Sequence, residues 1–466
     1  MTTYDLIVIG AGAVGENVAD YATRKGLKVA LVEAELVGGE CSYWACMPSK
    51  ALLMSGTVLE AAKAVGGARE AVTGDLDVRA VLQRRNSFTS NWDDSSQVDW
   101  VSGAGIDLIR GHATITGVRE VTVDGHVHTA RYAVAAATGS AALLPDVPGL
   151  ADAIPWTSRD ATSAQSIPQR LMIIGGGVVA TEMATAYQQL GAQVTLASRG
   201  GLLSGQEPFA GEFVGDALKE LGVDLRLATS PTSVIRTEDG TVETTLSDGT
   251  VVSTDEILIA TGRVPRSSDL GLENVGLPPG EWLDVDDTLL VRGTDWLYGV
   301  GDINHRALLT HQGKYQARAA GEVIAARALG TELHTEPWGA HVATADLAAV
   351  PQVTFTSPEV ASVGLTASRA EQQGIDTRVV DYDLAALAGS SLKSDTYKGQ
   401  ARLVVDETRK VIVGATFVGP EVSDLLHAAT VAVVGEVPID RLWHAVPSYP
   451  TVSEIWLRLL DSYGRP

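Results

Sequence analysis

Short apolar runs alternate with helical stretches along the first two thirds of the chain, a pattern typical of parallel α/β sheets. Near the start, the apolar run Leu6–Ile9 precedes a helical stretch over Val14–Lys25, and a second strand follows over Lys28–Val32. The same order of strand, helix and strand returns within Arg170–Gly200. From about residue 346 the pattern changes to β-branched strands and an apolar helix over Val422–Gly435. The sequence therefore predicts two α/β units followed by an α+β segment.

Glycines mark the turn after the first strand of the first unit. Gly10, Gly12 and Gly15 form G-x-G-x-x-G between strand and helix, and Glu33 ends the second strand. Such glycines let the backbone approach a pyrophosphate at a helix N-terminus, and an acid at this spacing binds a ribose hydroxyl. The motif predicts a site for a dinucleotide whose adenosine has a free ribose.

The second unit repeats the motif with a different ending. Gly175, Gly177 and Ala180 form G-x-G-x-x-A, and Ser198-Arg199 takes the place of the acid. A carboxylate there would repel a 2′-phosphate, whereas serine and arginine can bind one. This site therefore predicts NADPH in preference to NADH, with a solvated loop arginine as the alternative. Two dinucleotide sites in one chain are typical of a flavoprotein that binds FAD and the nicotinamide that reduces it.

Both cysteines of the chain, Cys41 and Cys46, lie in the segment GGECSYWACMPSK. On a regular helix, residues five apart differ by ~7.5 Å along the axis, beyond the ~6.8 Å limit for disulfide-bonded Cα atoms. A bridge therefore needs an irregular turn, for which Gly38 and Gly39 supply a sharp approach. A helix over Ser49–Ala62 follows, and its positive end is expected to favour thiolate. A structural disulfide or two unpaired thiols are the alternatives.

The order of these motifs resembles that of the class I pyridine nucleotide–disulfide oxidoreductases, the family of dihydrolipoamide dehydrogenase, glutathione reductase and mercuric reductase. The resemblance covers nearly the whole chain and is most specific at the C-x4-C segment with Pro48-Ser49-Lys50. It implies an α/β fold of two Rossmann-like dinucleotide-binding domains plus a C-terminal α+β dimerisation domain. The split FAD-binding domain is expected over 1–150 and 267–340, the NAD(P)-binding domain over 151–266 and the dimerisation domain over 346–466.

The resemblance also implies a role for each motif. Electrons would pass from NADPH through FAD to a Cys41–Cys46 disulfide, with Cys46 nearest the flavin and Cys41 meeting the substrate. Lys50 and Glu182 would pair beside the flavin, with an ordinary surface ion pair as the alternative. The segment Ser448–Glu454 would reach the partner's active site in a homodimer. Further cofactor-binding residues implied by the resemblance are Thr138, Gly139, Thr261, Gly262, Gly301 and Asp302.

Two segments depart from the family's pattern. Tyr449 stands where the family's disulfide reductases have a histidine base, while Glu454 is kept. Tyrosine, with a pKa of ~10, is a poor base at neutral pH, so His444 is a candidate substitute, with capping or packing as its alternative role. Between the cysteines, Tyr43 and Trp44 supply aromatic rings for core packing or for lining a substrate pocket.

Two function classes follow from these features. The first is an FAD-dependent reductase that passes electrons from NADPH to a small disulfide or related sulfur compound. The second passes them to a quinone, a metal ion or a second nicotinamide, with the cysteines storing electrons. A redox sensor without turnover is a third hypothesis. The two intact dinucleotide-binding motifs and the presence of both cysteines argue against it.

The amino-acid composition limits the kinds of partner that the protein is expected to bind. The net charge of −22 argues against nucleic acid, whose binding needs clustered Lys and Arg. No apolar run approaches the ~20 residues of a membrane span, and no targeting segment is recognisable, so a cytoplasmic protein with a small-molecule acceptor is expected. Two cysteines are too few for a four-cysteine metal or iron–sulfur site, and no metal cofactor is expected.

Overall fold

A computed structural model describes residues 2–465 of the chain. Its strands are β1 (Thr2–Ile9), β2 (Val29–Glu33), β3 (Asp107–Arg110), β4 (Ala113–Gly117), β5 (Glu120–Val123), β6 (His126–Ala136), β7 (Ser140–Ala142), β8 (Arg170–Ile174), β9 (Gln193–Ser198), β10 (Asp224–Leu227), β11 (Pro231–Arg236), β12 (Val242–Leu246), β13 (Val251–Thr254), β14 (Glu256–Ile259), β15 (Arg263–Pro265), β16 (Leu297–Gly299), β17 (Pro351–Thr354), β18 (Glu359–Gly364), β19 (Thr377–Asp383), β20 (Gln400–Asp406) and β21 (Val411–Gly419). Its α-helices are α1 (Ala13–Arg24), α2 (Gly39–Tyr43), α3 (Cys46–Lys63), α4 (Val78–Phe88), α5 (Ser95–Gly103), α6 (Ser158–Ser163), α7 (Val178–Gln189), α8 (Pro208–Leu221), α9 (Thr310–Leu329), α10 (Ala345–Ala348), α11 (Ala367–Gln372), α12 (Ala388–Lys393), α13 (Leu426–Val434), α14 (Ile439–Leu442) and α15 (Ile455–Tyr463).

The chain forms two compact units. The first comprises the residues up to Pro48, together with Arg85–Leu143 and Arg263–Leu347. The second comprises Ser49–Arg84, Leu144–Gly262 and the residues from Ala348 onward.

The first unit is built around a sheet in the order β3-β2-β1-β6-β5-β4, with β16 beside β6. Strands β1, β2, β3, β6 and β16 run parallel, whereas β4 and β5 pair antiparallel. Leu6–Ile9 is buried throughout, as expected for a parallel strand that is covered on both faces. Because β1 and β2 are parallel neighbours, their carboxyl ends bring Gly10 and Glu33 to the same edge of the sheet.

Helix α1 packs closely against α9 in the first unit, and glycines allow the approach. A Cβ at Gly321 would lie 2.6 Å from the Cβ of Tyr21, and one at Gly313 would lie 2.5 Å from a methyl carbon of Val14. This packing holds the N-terminal end of α9 in the same unit as the glycine turn after β1.

The second unit repeats the strand–glycine turn–helix–strand order in a parallel sheet, β10-β9-β8-β14. An antiparallel sheet, β11-β12-β13, lies in the same unit. Its C-terminal part is a third, antiparallel sheet in the order β17-β18-β21-β20-β19. Strand β21 is buried along its whole length, and α13 and α15 contribute to the same hydrophobic core.

The predicted α/β fold class with a C-terminal α+β part is confirmed, and the differences lie at element boundaries. Helix α3 begins at Cys46 rather than Ser49, because a proline at position 48 is tolerated in the first turn of a helix. The predicted helix Val422–Gly435 divides into a 3₁₀ turn, Val422–Leu425, and α13. Within residues 2–465, none of the helices combines the length and the apolar character needed to cross a membrane.

Candidate functional site

Two positions of the glycine turn after β1, Gly10 and Gly15, admit no larger residue. Gly10 has a φ of +96°, and a Cβ there would lie 2.5 Å from the carbonyl oxygen of Ala137. A Cβ at Gly15 would lie 1.8 Å from the carbonyl oxygen of Gly10. Gly12 is the N-cap of α1 and supplies no side-chain cap, so the first N–H groups of the helix remain available to an anion. This turn fits the pyrophosphate of a bound FAD.

Glu33 is fixed at the end of β2 by two main-chain hydrogen bonds. The N–H of Ala11 donates to its Oε2 at 2.7 Å, and the N–H of Glu35 donates to its Oε1 at 2.7 Å. Each carboxylate oxygen retains a second lone pair that can accept from a ribose hydroxyl. The bond to Ala11 ties this acceptor to the glycine turn itself.

A polar cluster follows the loops after β6 and β16. The hydroxyl of Ser140 donates to Oδ2 of Asp302, and the guanidinium of Arg263 lies 3.8 Å from the same oxygen. Gly139 and Gly301 turn the chain on either side of this cluster, with φ values of +75° and +82°. The cluster presents the partly exposed carboxylate of Asp302, which fits the polar chain of a flavin cofactor.

The T-G motif at 138–139 connects to the cysteine segment through Arg266. The hydroxyl of Thr138 donates to the carbonyl of Arg266 at 2.7 Å. The guanidinium of Arg266 in turn lies 3.3 Å from Oε1 of Glu40, the residue before Cys41. One network in the first unit therefore joins a predicted flavin-binding turn to the helix that carries Cys41.

The cysteine segment has the irregular turn that the spacing requires. Cys41 lies in α2 and Cys46 begins α3, and the chain breaks between them at Trp44, with φ −137° and ψ −2°. Gly38 and Gly39 make the approach with φ values of +111° and +58°. A Cβ at Gly39 would lie 2.7 Å from the Cα of Gly12, so α2 is packed directly on the glycine turn.

Cys41 and Cys46 are present as two thiols, the reduced form of the predicted couple. A hydrogen bond with Cys46, followed by burial, raises the pKa of the Cys41 thiol. These two causes act against the thiolate that the helix end is expected to favour at Cys41. Sγ of Cys46 also lies 3.2 Å from the hydroxyl of Thr310 at the start of α9.

The sequence analysis did not identify two residues that lie at the site in this unit. Thr310 lies 264 residues from Cys46 along the chain and carries no local signal. Glu16, in the first turn of α1, could have been noticed as an acid directly after the third glycine of the fingerprint. Its Oε1 atom is inaccessible to solvent and has no hydrogen-bond partner. Burial raises the pKa of Glu16 to about 7, while the charge of Lys314 opposes this shift.

The first glycine of the turn in the second unit is restricted in the same way as Gly10. Gly175 has a φ of +138°, and a Cβ there would lie 2.2 Å from the carbonyl oxygen of Ala260. Gly177 is the N-cap of α7 and supplies no side-chain cap. Ser198 is buried, with its hydroxyl 3.4 Å from the carbonyl of Gly201.

Arg199 is exposed directly after β9, and its guanidinium forms no ion pair within residues 2–465. Arg199 is therefore the side chain of the Ser198-Arg199 pair that is open to a ligand. Thr261 and Gly262 follow β14, and Gly262 has a φ of +150°.

Lys50 and Glu182 form an ion pair in the second unit. Nζ of Lys50 lies 2.8 and 3.1 Å from the two carboxylate oxygens of Glu182, whose side chain is only 3% exposed. The N–H of Phe355 donates to Oε1 of Glu182, and Nζ of Lys50 lies 4.9 Å from the centroid of the Phe355 ring. The alternative of an ordinary surface ion pair does not describe this contact, because the carboxylate is buried.

The C-terminal candidate residues Tyr449, His444 and Glu454 differ in their exposure to solvent. Tyr449 is 74% exposed, and His444 is also exposed. Glu454 is buried, its Oε1 accepts from Arg458 at 2.6 Å, and its Oε2 has no partner. The structure therefore brings neither Tyr449 nor His444 into hydrogen-bond contact with Glu454.

Comparisons with known proteins agree with this geometry. The model of the pyridine nucleotide-disulphide oxidoreductase family matches residues 4–322, and that of the family's dimerisation domain matches residues 350–459. A mercuric reductase from Staphylococcus aureus is 31% identical over 457 residues, covering 97% of this chain and 81% of the relative. A dihydrolipoyl dehydrogenase from Haloferax volcanii is 30% identical over 478 residues, covering 97% and 94%.

A solved structure shares the fold. The Cu(II) complex of the HOCl-induced flavoprotein disulfide reductase RclA from Escherichia coli has a TM-score of 0.84 at 22% identity, and the match covers 99% of both chains. The two family matches span both nucleotide-binding turns, the cysteine segment and the C-terminal sheet in the order the sequence predicts. The chain therefore belongs to the pyridine nucleotide-disulphide oxidoreductases, flavoprotein enzymes that move electrons between a nicotinamide nucleotide and a disulfide.

Proposed function

We propose that this enzyme takes electrons from NADPH and reduces a small disulfide, or a related sulfur compound, at the Cys41–Cys46 couple. The observation that carries the proposal is the irregular turn that ends α2 after Cys41 and begins α3 at Cys46, with both cysteines present as thiols. A bound FAD would supply the two-electron relay between the nicotinamide and the cysteines. Gly10, Glu33 and Asp302 would hold it, together with the other turn residues of the first unit.

Thiol–disulfide exchange at this pair accounts for every transferred proton without an added base. Cys41 sulfur attacks the substrate disulfide, forming a mixed disulfide and releasing one thiolate. The Cys41 proton passes to Cys46 along their hydrogen bond and then to the departing thiolate. Cys46 sulfur next attacks Cys41, closing the protein disulfide and releasing the second thiolate, which takes the proton of the Cys46 thiol. NADPH and one proton restore the dithiol, so each substrate disulfide consumes two electrons.

Preference for NADPH over NADH rests on Arg199. Its guanidinium is exposed after β9 and carries no partner charge within the described chain, so it is free to bind a 2′-phosphate. Glu33 ends β2 at the place equivalent to Ser198 at the end of β9, and a carboxylate there favours a free ribose hydroxyl.

Lys50 and Glu182 are proposed to act beside the flavin as a fixed ion pair. The carboxylate accepts hydrogen bonds from Lys50 and from the N–H of Phe355, which compensate for its burial.

We also propose the three-domain division that the sequence analysis predicts. The match of residues 350–459 to the dimerisation domain supports a homodimer in which Tyr449 reaches the partner's active site.

A second candidate function is reduction of a quinone, a metal ion or a second nicotinamide. The observation that favours it is the C-terminal segment, where Glu454 pairs with Arg458 and Tyr449 replaces the family's histidine. Such acceptors release no thiolate, so they need no proton donor at this position. One relative is named as a mercuric reductase, which adds a metal ion to the acceptors worth testing.

A screen of NADPH oxidation separates the two candidates. The purified holoenzyme is assayed with small disulfides, quinones and Hg(II), and each active acceptor is retested with Cys41→Ser. We expect disulfide reduction to be the fastest and to fall at least ~10³-fold in the variant, because the attacking sulfur is lost. Fast quinone turnover that survives Cys41→Ser, with no disulfide turnover in the unmodified enzyme, would establish the second candidate instead.

A further inference from the structure

Three successive residues near the cysteine segment adopt the left-handed conformation, and none is glycine. Ser90, Asn91 and Trp92 have φ values of +50°, +53° and +58°. This conformation is unfavourable for a residue with a side chain and persists only where surrounding contacts fix it. The turn is closed by main-chain bonds from Trp92 to Thr89 and from Asp93 to Ser90, at 2.8 and 3.1 Å.

The turn directs a tryptophan at the loop between the two cysteines. The indole N–H of Trp92 donates to the carbonyl of Tyr43 at 3.2 Å. Tyr43 is the last residue of α2, so this bond caps one of the carbonyl groups left free at the helix end. The helix stops at that residue, and the chain turns at Trp44 toward Cys46.

The same segment also holds the approach to the cysteines. Oδ2 of Asp94 accepts from the N–H of Val37 at 2.8 Å, just before Gly38. The segment 92–94 therefore contacts the chain on both sides of Cys41, at Val37 and at Tyr43.

Two arginines support these contacts. The side chain of Arg85 is fully buried, and its guanidinium lies 5.3 Å from the centroid of the Trp92 ring. Arg110 donates to Oδ2 of Asp94 at 2.5 Å. A buried cation against an indole and a paired carboxylate are restraints expected of a fixed segment rather than of a loosely packed loop.

We propose that Trp92 and Asp94 form a clamp that holds the turn between Cys41 and Cys46 in the geometry a disulfide requires, and so sets the redox equilibrium of the pair. The proposal rests on the function proposed above, in that Cys41 and Cys46 must form the redox couple. Without a break in the helix, residues five apart lie ~7.5 Å apart along the axis, beyond the reach of a disulfide. Loosening the clamp is therefore expected to disfavour the disulfide more than the dithiol.

The test measures the dithiol–disulfide equilibrium of the holoenzyme directly. The protein is equilibrated in buffers of reduced and oxidised dithiothreitol, thiols are trapped by alkylation, and the two forms are counted by mass spectrometry. Trp92→Phe keeps the aromatic ring but loses the N–H donor. We expect it to shift the equilibrium about fivefold toward the dithiol, the effect of one net hydrogen bond, which equals about 20 mV.

Two further variants make the result specific. Trp100→Phe alters a half-exposed indole on α5 of the same unit and is expected to change nothing. Asp94→Asn is expected to shift the equilibrium in the same direction as Trp92→Phe, and it keeps the test decisive if Trp92→Phe fails to fold. An unmodified protein that forms no disulfide in any buffer would overturn both the proposed function and the clamp. A normal couple that shifts less than twofold in both clamp variants would overturn the clamp alone.

Discussion

Cys41 and Cys46 differ in their surroundings, and the difference bears on which sulfur carries a negative charge. A hydrogen bond with Cys46 and burial raise the pKa of the Cys41 thiol, which disfavours a negative charge on that sulfur. Cys46 is also the sulfur at the helix N-terminus and beside the Thr310 hydroxyl, both of which stabilise a thiolate.

This division of charge predicts different spectra for two serine variants. In the NADPH-reduced enzyme, the Cys46 thiolate is expected to give a long-wavelength charge-transfer band with oxidised flavin. Cys41→Ser is expected to keep the band, because Cys46 remains, and Cys46→Ser is expected to lose it. Absorbance spectra during anaerobic titration measure both. The opposite result in the two variants would mean that the roles of the sulfurs are exchanged.

Asp346 offers a test of how one buried carboxyl group makes the stability of the fold depend on pH. Burial raises its pKa to about 6 from 3.8, although Arg306 opposes the shift. Between these two values the folded protein binds more protons than the unfolded chain, so stability falls as the pH rises from about 4 to 6.

Asp346→Asn removes this titration. Its stability relative to the unmodified protein is expected to increase across pH 4–6 by about 1–3 kcal/mol, which is at most the free energy that corresponds to raising the pKa from 3.8 to about 6. Urea unfolding at several pH values measures the difference, and Asp295→Asn, at an exposed position, serves as the control. A difference that does not vary with pH would show that Asp346 is charged in the folded protein throughout this range.

At the scale of elements, the two glycine turns were predictable because their constraint is local. A strand, a turn that requires glycine at its first position and a helix N-terminus follow one another within a few residues, and the structure has them at Gly10–Gly15 and Gly175–Ala180. The irregular cysteine turn was predictable for the same reason, from the spacing of the sulfurs and the two preceding glycines.

Contacts between distant segments could not be read in this way. Thr310 meets Cys46 only because α9 packs on α1, and Trp92 reaches Tyr43 only because three residues without a glycine turn left-handed. Neither has a periodicity or composition that marks it. The Lys50–Glu182 pair was expected only through the family resemblance, since its partners lie 132 residues apart.

The end of β9 gives a prediction about nucleotide choice. Arg199→Glu replaces the exposed cation with a charge that repels a 2′-phosphate and can accept from a ribose hydroxyl. We expect the ratio of kcat/KM for NADPH to that for NADH to fall on the order of 10- to 100-fold, the loss of one charge-assisted bond. Arg79→Glu makes the same charge change on α4, at an exposed position, and is expected to leave the ratio unchanged. An unmodified enzyme that prefers NADH would contradict the assignment directly.

The whole molecule is expected to be a homodimer. Apolar side chains remain exposed in the part that matches the dimerisation domain, including Val431 at 54% and Val446 at 85%. Exposed apolar surface of this kind is typical of an interface. Val446→Glu is expected to shift the protein toward monomer in sedimentation velocity and to lower acceptor turnover while FAD stays bound. A monomer with full disulfide turnover would contradict a shared active site.

The role of Tyr449 depends on the dimer, because this residue is proposed to act in the partner's active site. If the acceptor is a disulfide and the phenol protonates a departing thiolate, Tyr449→Phe should slow disulfide turnover ~10²–10⁴-fold and leave reduction of the flavin by NADPH unchanged. If the acceptor is a quinone or metal ion, no thiolate departs and the variant should match the unmodified enzyme.

Two controls identify the proton donor. Tyr132→Phe removes the hydroxyl of a tyrosine that is exposed in the first unit, and it should have no effect. His444→Ala tests the only other candidate proposed for this proton. Disulfide turnover that is fast in the unmodified enzyme and in both Tyr449→Phe and His444→Ala would show that the Cys41–Cys46 hydrogen bond carries the proton unaided. A loss in Tyr449→Phe alone would instead show that the phenol completes the transfer begun by the thiols.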